Sequence, residues 1–320
     1  MSRKLIVTIH ELNEAQRAAI RAAAERNGIE AEFYESNADA KAAAAEAEII
    51  FGNAPMLAKV APKLRWLCTP SAGVNQYAAP DTFIAKDVTL TNSSGAYGVT
   101  IAEHILMVTL ELMRRQGVYN GIVARREWYN DVPVKSILGC RAALLGTGDI
   151  GQEAARRLRG FRPAKLIGVN LSGRNPEGLF DEVVTIDRLD GLLPEVDLVI
   201  LSLPGTPRTR NVLDARRLAL LPDGAIIVNV GRGNSIDEAA IEAELRAGRL
   251  MAALDVFETE PLPQDSGLWD CPNLLITPHS AGKMTLPHTV ERIVGQFLED
   301  LDRYGAGEPL AKRVDIARGY

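Results

Sequence analysis

The chain has 320 residues, which at roughly 150 residues per domain suggests two domains. Lys and Arg number 36 and Asp and Glu 41, so the formal charge is −5, and 47% of the residues are hydrophobic. These values exclude intrinsic disorder and offer no basic surface for nucleic acid. The most apolar stretch, 101–112, contains Glu103, His104 and Glu111, so we expect no membrane span.

The first third of the chain alternates short apolar runs with a helical pattern. It predicts strands at 5–9, 30–34, 47–53 and 64–70, and a helix at 13–26. This order is typical of a small α/β domain with a parallel sheet. An amphipathic helix is predicted at 100–116, with apolar residues at helical spacing. Gly95 and Gly98 precede it and indicate a hinge or domain boundary.

The second alternating block carries six predicted strands. They are β-rich apolar runs without clean alternation, as in a parallel sheet covered on both faces. The pattern also predicts helices at 152–159, 237–247 and 287–304. The six strands are predicted at 140–146, 164–170, 196–203, 225–230, 252–257 and 274–278.

The three cysteines, Cys68, Cys140 and Cys271, are far apart and form no CxxC or Cys/His pattern typical of zinc. An odd number of separated cysteines in apolar segments indicates reduced thiols. The N-terminal segment turns polar after a few apolar residues, unlike a secretory signal. We therefore expect a cytoplasmic protein without a bound metal.

A glycine-rich segment, Gly146-Thr-Gly148-Asp149-Ile150-Gly151, follows a predicted strand and opens a predicted helix. In that setting the glycines allow a tight turn, close approach of a pyrophosphate and close packing of the helix on the sheet. The helix N-terminus adds free N–H groups for phosphates. The alternative is a glycine-rich turn that binds nothing.

Cofactor choice depends on the residues after the next strand. An NAD site usually has an acid about 20 residues beyond the fingerprint, bonded to the ribose 2′-hydroxyl. Here the segment runs Asn170-Leu-Ser172-Gly-Arg174, and the first acid is Glu177. A hydroxyl and a guanidinium suit a 2′-phosphate, so we expect NADP(H) to be preferred, with NAD(H) also possible. The alternative is that Arg174 is a solvated loop residue.

Polar side chains follow three predicted strands of the second block. Arg232 follows 225–230, Glu258 and Glu260 follow 252–257, and His279 follows 274–278. The carboxyl ends of parallel strands face the ligand crevice of such a sheet. An arginine suits a carboxylate, and a histidine beside a carboxylate suits proton transfer. Taken singly, each is also compatible with an ordinary surface or loop position.

Over essentially its whole length, the chain resembles the D-isomer-specific 2-hydroxyacid dehydrogenase family. The resemblance implies two Rossmann-like or flavodoxin-like α/β domains with parallel sheets and an active cleft between them. It implies a substrate domain of 1–98 plus 284–320 and a dinucleotide-binding domain of 99–283. The matching segments are PSAGVNQY (70–77), TIAEHILMVTLELMRR (100–115), LLGTGDIG (144–151), LSLPGTPRTRNVL (201–213), IIVNVGRGNSIDEAAI (226–241), AALDVFETEPLP (252–263) and NLLITPHSAG (273–282).

The family resemblance also implies roles for individual residues. Arg232 would hold the substrate, His279 would donate and accept the proton, and Glu260 rather than Glu258 would be its partner. Asp255 would bond the nicotinamide carboxamide. The other implied cofactor-binding residues are Gly146, Gly148, Asp149, Ile150, Gly151, Asn170, Ser172, Arg174, Leu203, Pro204, Thr209, Val230 and Gly231.

The substrate carboxylate would meet backbone N–H groups of Ala72, Gly73 and Val74, a glycine turn able to form an anion nest. Asn53, Tyr97 and Trp128 are candidates for setting the size of the pocket, or else a turn residue and two packed aromatics.

The predicted reaction is NADPH-dependent reduction of a small 2-oxoacid to its D-2-hydroxyacid, as in glyoxylate and hydroxypyruvate reductases. The alternatives are an NAD-linked dehydrogenase working oxidatively and a non-enzymatic, corepressor-like cofactor sensor. A homodimer is implied by the resemblance alone, and we expect no nucleic-acid or membrane partner.

Overall fold

The computed structural model describes residues 3–175 and 177–315, and the chain forms two compact units: Met1–Tyr97 with Met284–Tyr320, and Gly98–Lys283. The strands are β1 (Arg3–Val7), β2 (Ile29–Phe33), β3 (Ile49–Phe51), β4 (Trp66–Cys68), β5 (Thr89–Thr91), β6 (Arg141–Leu145), β7 (Lys165–Asn170), β8 (Glu182–Thr185), β9 (Leu198–Leu201), β10 (Ile226–Asn229), β11 (Met251–Leu254) and β12 (Leu274–Ile276). The helices are α1 (Glu14–Arg26), α2 (Asn37–Ala40), α3 (Pro55–Ala58), α4 (Gly98–Met113), α5 (Gln116–Ala124), α6 (Asp149–Arg159), α7 (Leu189–Leu192), α8 (Ala215–Leu220), α9 (Glu238–Arg246) and α10 (Pro287–Ala306).

The first unit is built on a parallel sheet in the order β2-β1-β3-β4-β5. Its first long helix, α1, begins at an N-cap, Asn13, whose side chain accepts from the Gln16 N–H in a capping box. Helix α10 packs on the same unit, because Phe297 stacks on Phe51 with ring centroids 3.9 Å apart. The C-terminal helix is therefore part of the core of the first unit.

The second unit has seven parallel strands in the order β12-β11-β10-β9-β6-β7-β8. The order reverses at β6, as in the Rossmann fold, with β12 as an added edge strand. Ligands of such sheets bind outside the carboxyl ends of the strands at this reversal. The loop that follows β6, and those that follow its neighbours β7 and β9, are therefore the part of this unit to search for a ligand site.

The predicted α/β class with two parallel sheets is confirmed, and the predicted strands lie within one to three residues of observed ones. Seven of these elements were not predicted: the strands β5 and β8 and the helices α2, α3, α5, α7 and α8. Strands β5 and β8 have only three and four residues, and β8 is a partly exposed edge strand. Such segments carry too little apolar pattern to stand out. Among the helices of the described residues, none is long and apolar enough to cross a membrane.

Candidate active site

The loop between β6 and α6 has a geometry that only glycine permits at two positions. Gly146 has φ +102°, and a Cβ there would lie 2.8 Å from the Ser202 hydroxyl. A Cβ on Gly151 would lie 2.1 Å from the Gly146 carbonyl oxygen. The helix therefore packs directly on the turn, which is the close approach predicted from the fingerprint.

The middle glycine has a different environment. Gly148 is the N-cap of α6, makes no side-chain capping bond, and would place a Cβ in open space. Next to it, Asp149 and Ile150 form the first turn of the helix. The Asp149 carboxylate lies beside the first residue of α4, because a Cβ on Gly98 would lie 2.5 Å from its oxygen. An open space at the N-terminus of a helix fits a pyrophosphate.

The turn after β7 is organised by Asn170. Its Oδ1 accepts from the Gly173 N–H at 2.7 Å and from the Ser172 N–H at 3.0 Å, and its Nδ2 donates to Thr147 Oγ1 at 2.7 Å. The amide thus joins the turn to the glycine loop and leaves Arg174 exposed. Within the described residues, Arg174 makes no side-chain hydrogen bond or ion pair.

Both acids between β7 and β8 are paired with arginines of α6. Glu177 lies 3.0 Å from Arg156, and Asp181 lies 2.7 Å from Arg159. Burial raises the pKa of Asp181, but Arg159 together with the Leu166 N–H and Lys165 lowers it by more, so the net change is downward. Because both carboxylates are already neutralised, the charge of Arg174 remains uncompensated at this edge of the sheet.

Two further predicted cofactor segments lie against each other. A Cβ on Gly231 would lie 2.8 Å from the backbone of Leu203, so the loop after β10 touches the loop after β9. Val230, just before Gly231, is buried. In the β9 loop, the buried Thr209 hydroxyl donates to the Pro204 carbonyl at 2.5 Å. Thr209 therefore shapes this loop from within.

The structure brings His279 and Glu260 together. The Nδ1 atom of His279 is 2.6 Å from Oε2 of Glu260, and Oε1 of Glu260 accepts from the Phe257 N–H at 2.9 Å. These two contacts fix the Glu260 carboxylate, and the Nε2 atom of His279 remains available to another partner. Glu258 is instead paired with Arg210, as expected if Glu260 is the relevant acid.

Arg232 lies in the loop after β10, close to Glu260. Burial lowers the pKa of its guanidinium, and the charge of Glu260 opposes that change. A cation partly removed from water attracts a carboxylate more strongly than an exposed one. The next residue, Gly233, has no room for a side chain, because a Cβ there would lie 1.8 Å from the carbonyl carbon of Phe257. That contact holds the Arg232 and Glu260 loops together.

Asp255 is buried at the end of β11, and its carboxylate is turned toward residues 277–281. Its Oδ1 accepts from the Thr277 hydroxyl at 2.6 Å and from the Ser280 N–H at 2.8 Å, and its Oδ2 accepts from the Ala281 N–H at 3.1 Å. It therefore anchors the segment that carries His279. Its predicted contact with the nicotinamide carboxamide stays a prediction.

In the first unit, the loop after β4 presents unpaired N–H groups. The carbonyl of Ala72 accepts from Asn92 Nδ2 at 2.8 Å, and that of Gly73 accepts from the Ser71 hydroxyl at 2.8 Å. For the N–H groups of Ala72, Gly73 and Val74, no acceptor is found in the part of the chain that the structure describes. Because the carbonyls of this loop are already hydrogen-bonded and its N–H groups have no acceptor among the described residues, the loop can bind an anion such as a carboxylate.

The three candidates for pocket size fall into different environments. Asn53 is exposed, and its Oδ1 accepts from Gln76 Nε2 at 3.2 Å, near the Ala72–Val74 loop. Tyr97 is buried in the first unit, where its hydroxyl donates to the Pro70 carbonyl at 2.7 Å. Trp128 is 99% exposed. Asn53 and Tyr97 therefore each contact a residue that flanks the predicted carboxylate loop, Gln76 and Pro70 respectively.

Sequence reasoning missed residues that act on loop backbones. Asn92 supports the Ala72 loop, and Asn229, 1% exposed, donates from Nδ2 to the Arg232 carbonyl at 2.9 Å. Thr277 joins Asp255 to His104 of α4. An asparagine at the end of an apolar strand was the available signal for Asn229. For Asn92 and Thr277, the partners are too distant in sequence to be inferred.

A Rossmann sheet with a glycine-rich loop after β6, and an Arg, Glu and His at its strand ends, is the arrangement expected of a nucleotide-dependent dehydrogenase. Residues 106–281 match the family model "D-isomer specific 2-hydroxyacid dehydrogenase, NAD binding domain", and this chain belongs to that family. The prediction of an NAD(P)-dependent enzyme is thereby confirmed.

Similar proteins cover most of the chain. A family member from Aeromonas salmonicida has 33% identity and a TM-score of 0.87, covering 99% of this chain and 100% of its own. An NADPH-dependent glyoxylate/hydroxypyruvate reductase from Sinorhizobium meliloti, in complex with NADP and sulfate, has 30% identity and a TM-score of 0.80, covering 99% and 100%. Glyoxylate/hydroxypyruvate reductase A of Salmonella newport is 31% identical over 226 residues, 70% of each chain.

Proposed function

We propose that this protein reduces a small 2-oxoacid, such as glyoxylate or hydroxypyruvate, to its D-2-hydroxyacid with NADPH. The observation that carries the proposal is the 2.6 Å contact between His279 Nδ1 and Glu260, in a unit where Arg232 is held beside the same carboxylate. The named reductases from Sinorhizobium meliloti and Salmonella newport support this substrate class.

Each residue has a distinct task in the proposed reaction. When bound, NADPH supplies a hydride to the carbonyl carbon. His279 gives a proton from Nε2 to the carbonyl oxygen, and Glu260 fixes the ring through Nδ1. Arg232, partly desolvated, stabilises the charge that develops on that oxygen. The free N–H groups of residues 72–74 bind the substrate carboxylate.

The preference for NADP over NAD rests on the charge around Arg174. Glu177 and Asp181 are paired with α6 arginines, so no uncommitted carboxylate lies between β7 and β8 to repel a 2′-phosphate. Arg174 and Ser172 supply the cation and the hydroxyl that would bond it. The NADP bound to the Sinorhizobium meliloti reductase supports the same cofactor here.

The test compares His279→Ala with His288→Ala, an exposed histidine in the first turn of α10. We expect His279→Ala to abolish NADPH-dependent reduction across a panel of glyoxylate, hydroxypyruvate, pyruvate and bulkier 2-oxoacids. NADPH binding, followed by fluorescence, should change little, and His288→Ala should behave as wild type. Reduction by His279→Ala at the wild-type rate would refute the proposal. A wild-type preference for NADH would instead favour the NAD-linked alternative.

We also propose a homodimer. Large apolar side chains are exposed within one stretch of the second unit: Val123 is 69%, Trp128 99% and Leu138 61% exposed. Exposed apolar surface of this kind often marks a protein interface. Light scattering should give twice the chain mass for the wild type, and Trp128→Ser should weaken the association. A monomeric wild type would refute this part of the proposal.

A further inference from the structure

A second histidine of the same unit contacts the segment that carries His279. His104 lies in α4 and is partly buried, with Nε2 3.3 Å from the Thr277 hydroxyl. That hydroxyl is in turn 2.6 Å from Oδ1 of Asp255. The proposed reaction gives His104 no task, although it is joined through one side chain to the carboxylate that anchors residues 277–281.

The chemistry of the three groups fixes where the protons lie. An ionised carboxylate only accepts hydrogen bonds, and a hydroxyl has a single proton to donate. Thr277 therefore donates to Asp255 and accepts from His104, so Nε2 of His104 carries a proton. Burial lowers the pKa of His104, with the charge of Asp255 opposing, which favours a neutral ring with its proton on Nε2.

The segment that these contacts hold needs external support. His279 has φ +49°, a left-handed conformation that is strained for a residue with a side chain. Its own N–H donates to the Asp255 carbonyl at 2.9 Å, and the Asp255 carboxylate takes the N–H groups of Ser280 and Ala281. The direction of the His279 ring therefore depends on how Asp255 is held.

We propose that His104 is a positioning residue for His279. Its Nε2–H fixes the rotamer of the Thr277 hydroxyl, which fixes Asp255 Oδ1 and, through it, the backbone of residues 277–281. His104 touches neither substrate nor cofactor in this scheme, and its effect on turnover is indirect. The kinetic part of the test rests on the proposed function, whereas a second readout, by NMR of the His279 ring, does not depend on it.

The kinetic test uses variants that remove or keep the donor. His104→Leu removes it, whereas His104→Gln places an amide N–H near the position of Nε2. We expect His104→Leu to lower kcat about fivefold, the effect of one lost hydrogen bond, with the Kd for NADPH unchanged. His104→Gln should restore most of kcat. Adding His104→Leu to Thr277→Val should change kcat no further, because both variants break the same connection.

The second readout needs no substrate. The 15N resonances of the His279 ring report its bond to Glu260, so they should move in His104→Leu and return in His104→Gln. If the wild type reduces no 2-oxoacid, the proposed function is refuted, but the 15N resonances of the His279 ring still test whether His104 positions that ring. Unchanged His279 resonances, additive kinetic effects, or a Gln variant as impaired as the Leu variant would each overturn it. If His104→Leu does not fold, Thr277→Val breaks the same connection from the other side.

Discussion

Replacing Gly233 with alanine tests the contact that holds the Arg232 and Glu260 loops together. The added Cβ would lie 1.8 Å from the carbonyl carbon of Phe257 and 2.4 Å from the Glu258 nitrogen, whereas ordinary contact begins at 3.4 Å. The two loops must therefore separate by about 1.6 Å, and no rotamer change relieves this because both contacts are with backbone. A misplacement of about 1 Å can cost roughly 100-fold in rate, so we expect kcat to fall by at least that factor.

The assay separates this local effect from unfolding. Overpacking of this kind costs roughly 1–3 kcal/mol, so thermal melting should show a lower but still cooperative transition. The affinity for NADPH should fall much less than kcat, because the glycine loop after β6 is untouched. Gly191→Ala in α7 is the matched control, since its Cβ would meet no atom within 4 Å. A folded Gly233→Ala protein with wild-type kcat would refute the reasoning.

Three further predictions follow from the described contacts. Asn92→Ala removes the donor to the Ala72 carbonyl, so the KM for the 2-oxoacid should rise about tenfold with a smaller change in kcat; an unchanged KM would contradict the role given to that loop. Arg174→Ala should raise the KM for NADPH about tenfold or more and leave that for NADH unchanged, whereas the exposed Arg114→Ala should alter neither. Because the folded-state pKa of His104 lies below its ordinary value of 6.5, its stabilising contribution is present above that pH and is lost as the pH falls. Chemical unfolding at pH 7 and pH 5 should therefore show a smaller loss of stability in His104→Gln than in the wild type, and equal losses would contradict the burial effect.

Local sequence patterns predicted the elements that position the site. The long helix α4 and six of the seven strands of the second sheet, all but the edge strand β8, carry strong apolar patterns, and their loops follow from strand ends and glycines. The choice between Glu258 and Glu260 depended on family resemblance, since nothing in the local pattern separates two acids two residues apart. The structure supplies a physical reason, because Arg210 pairs with Glu258 while Glu260 contacts His279.

Hydrogen bonds between side chains far apart in the chain could not be predicted from the sequence. Asn92 reaches Ala72 across 20 residues, and His104 reaches Thr277 across 173. Each such bond depends on how separate segments pack, which no periodicity records. The left-handed backbone of His279, with φ +49°, could not be predicted either, because a positive φ is expected from sequence mainly at glycine.

The pairing of Glu177 and Asp181 with α6 arginines has a consequence for how cofactor preference is measured. It leaves Arg174 as an exposed, uncompensated charge, and exposed charges are screened by salt over about 8–10 Å at ordinary ionic strength. Affinity for a cofactor with a 2′-phosphate should therefore weaken as salt increases, while affinity for one without it changes less. The ratio of the affinities for the two cofactors therefore depends on the ionic strength of the solution as well as on the protein.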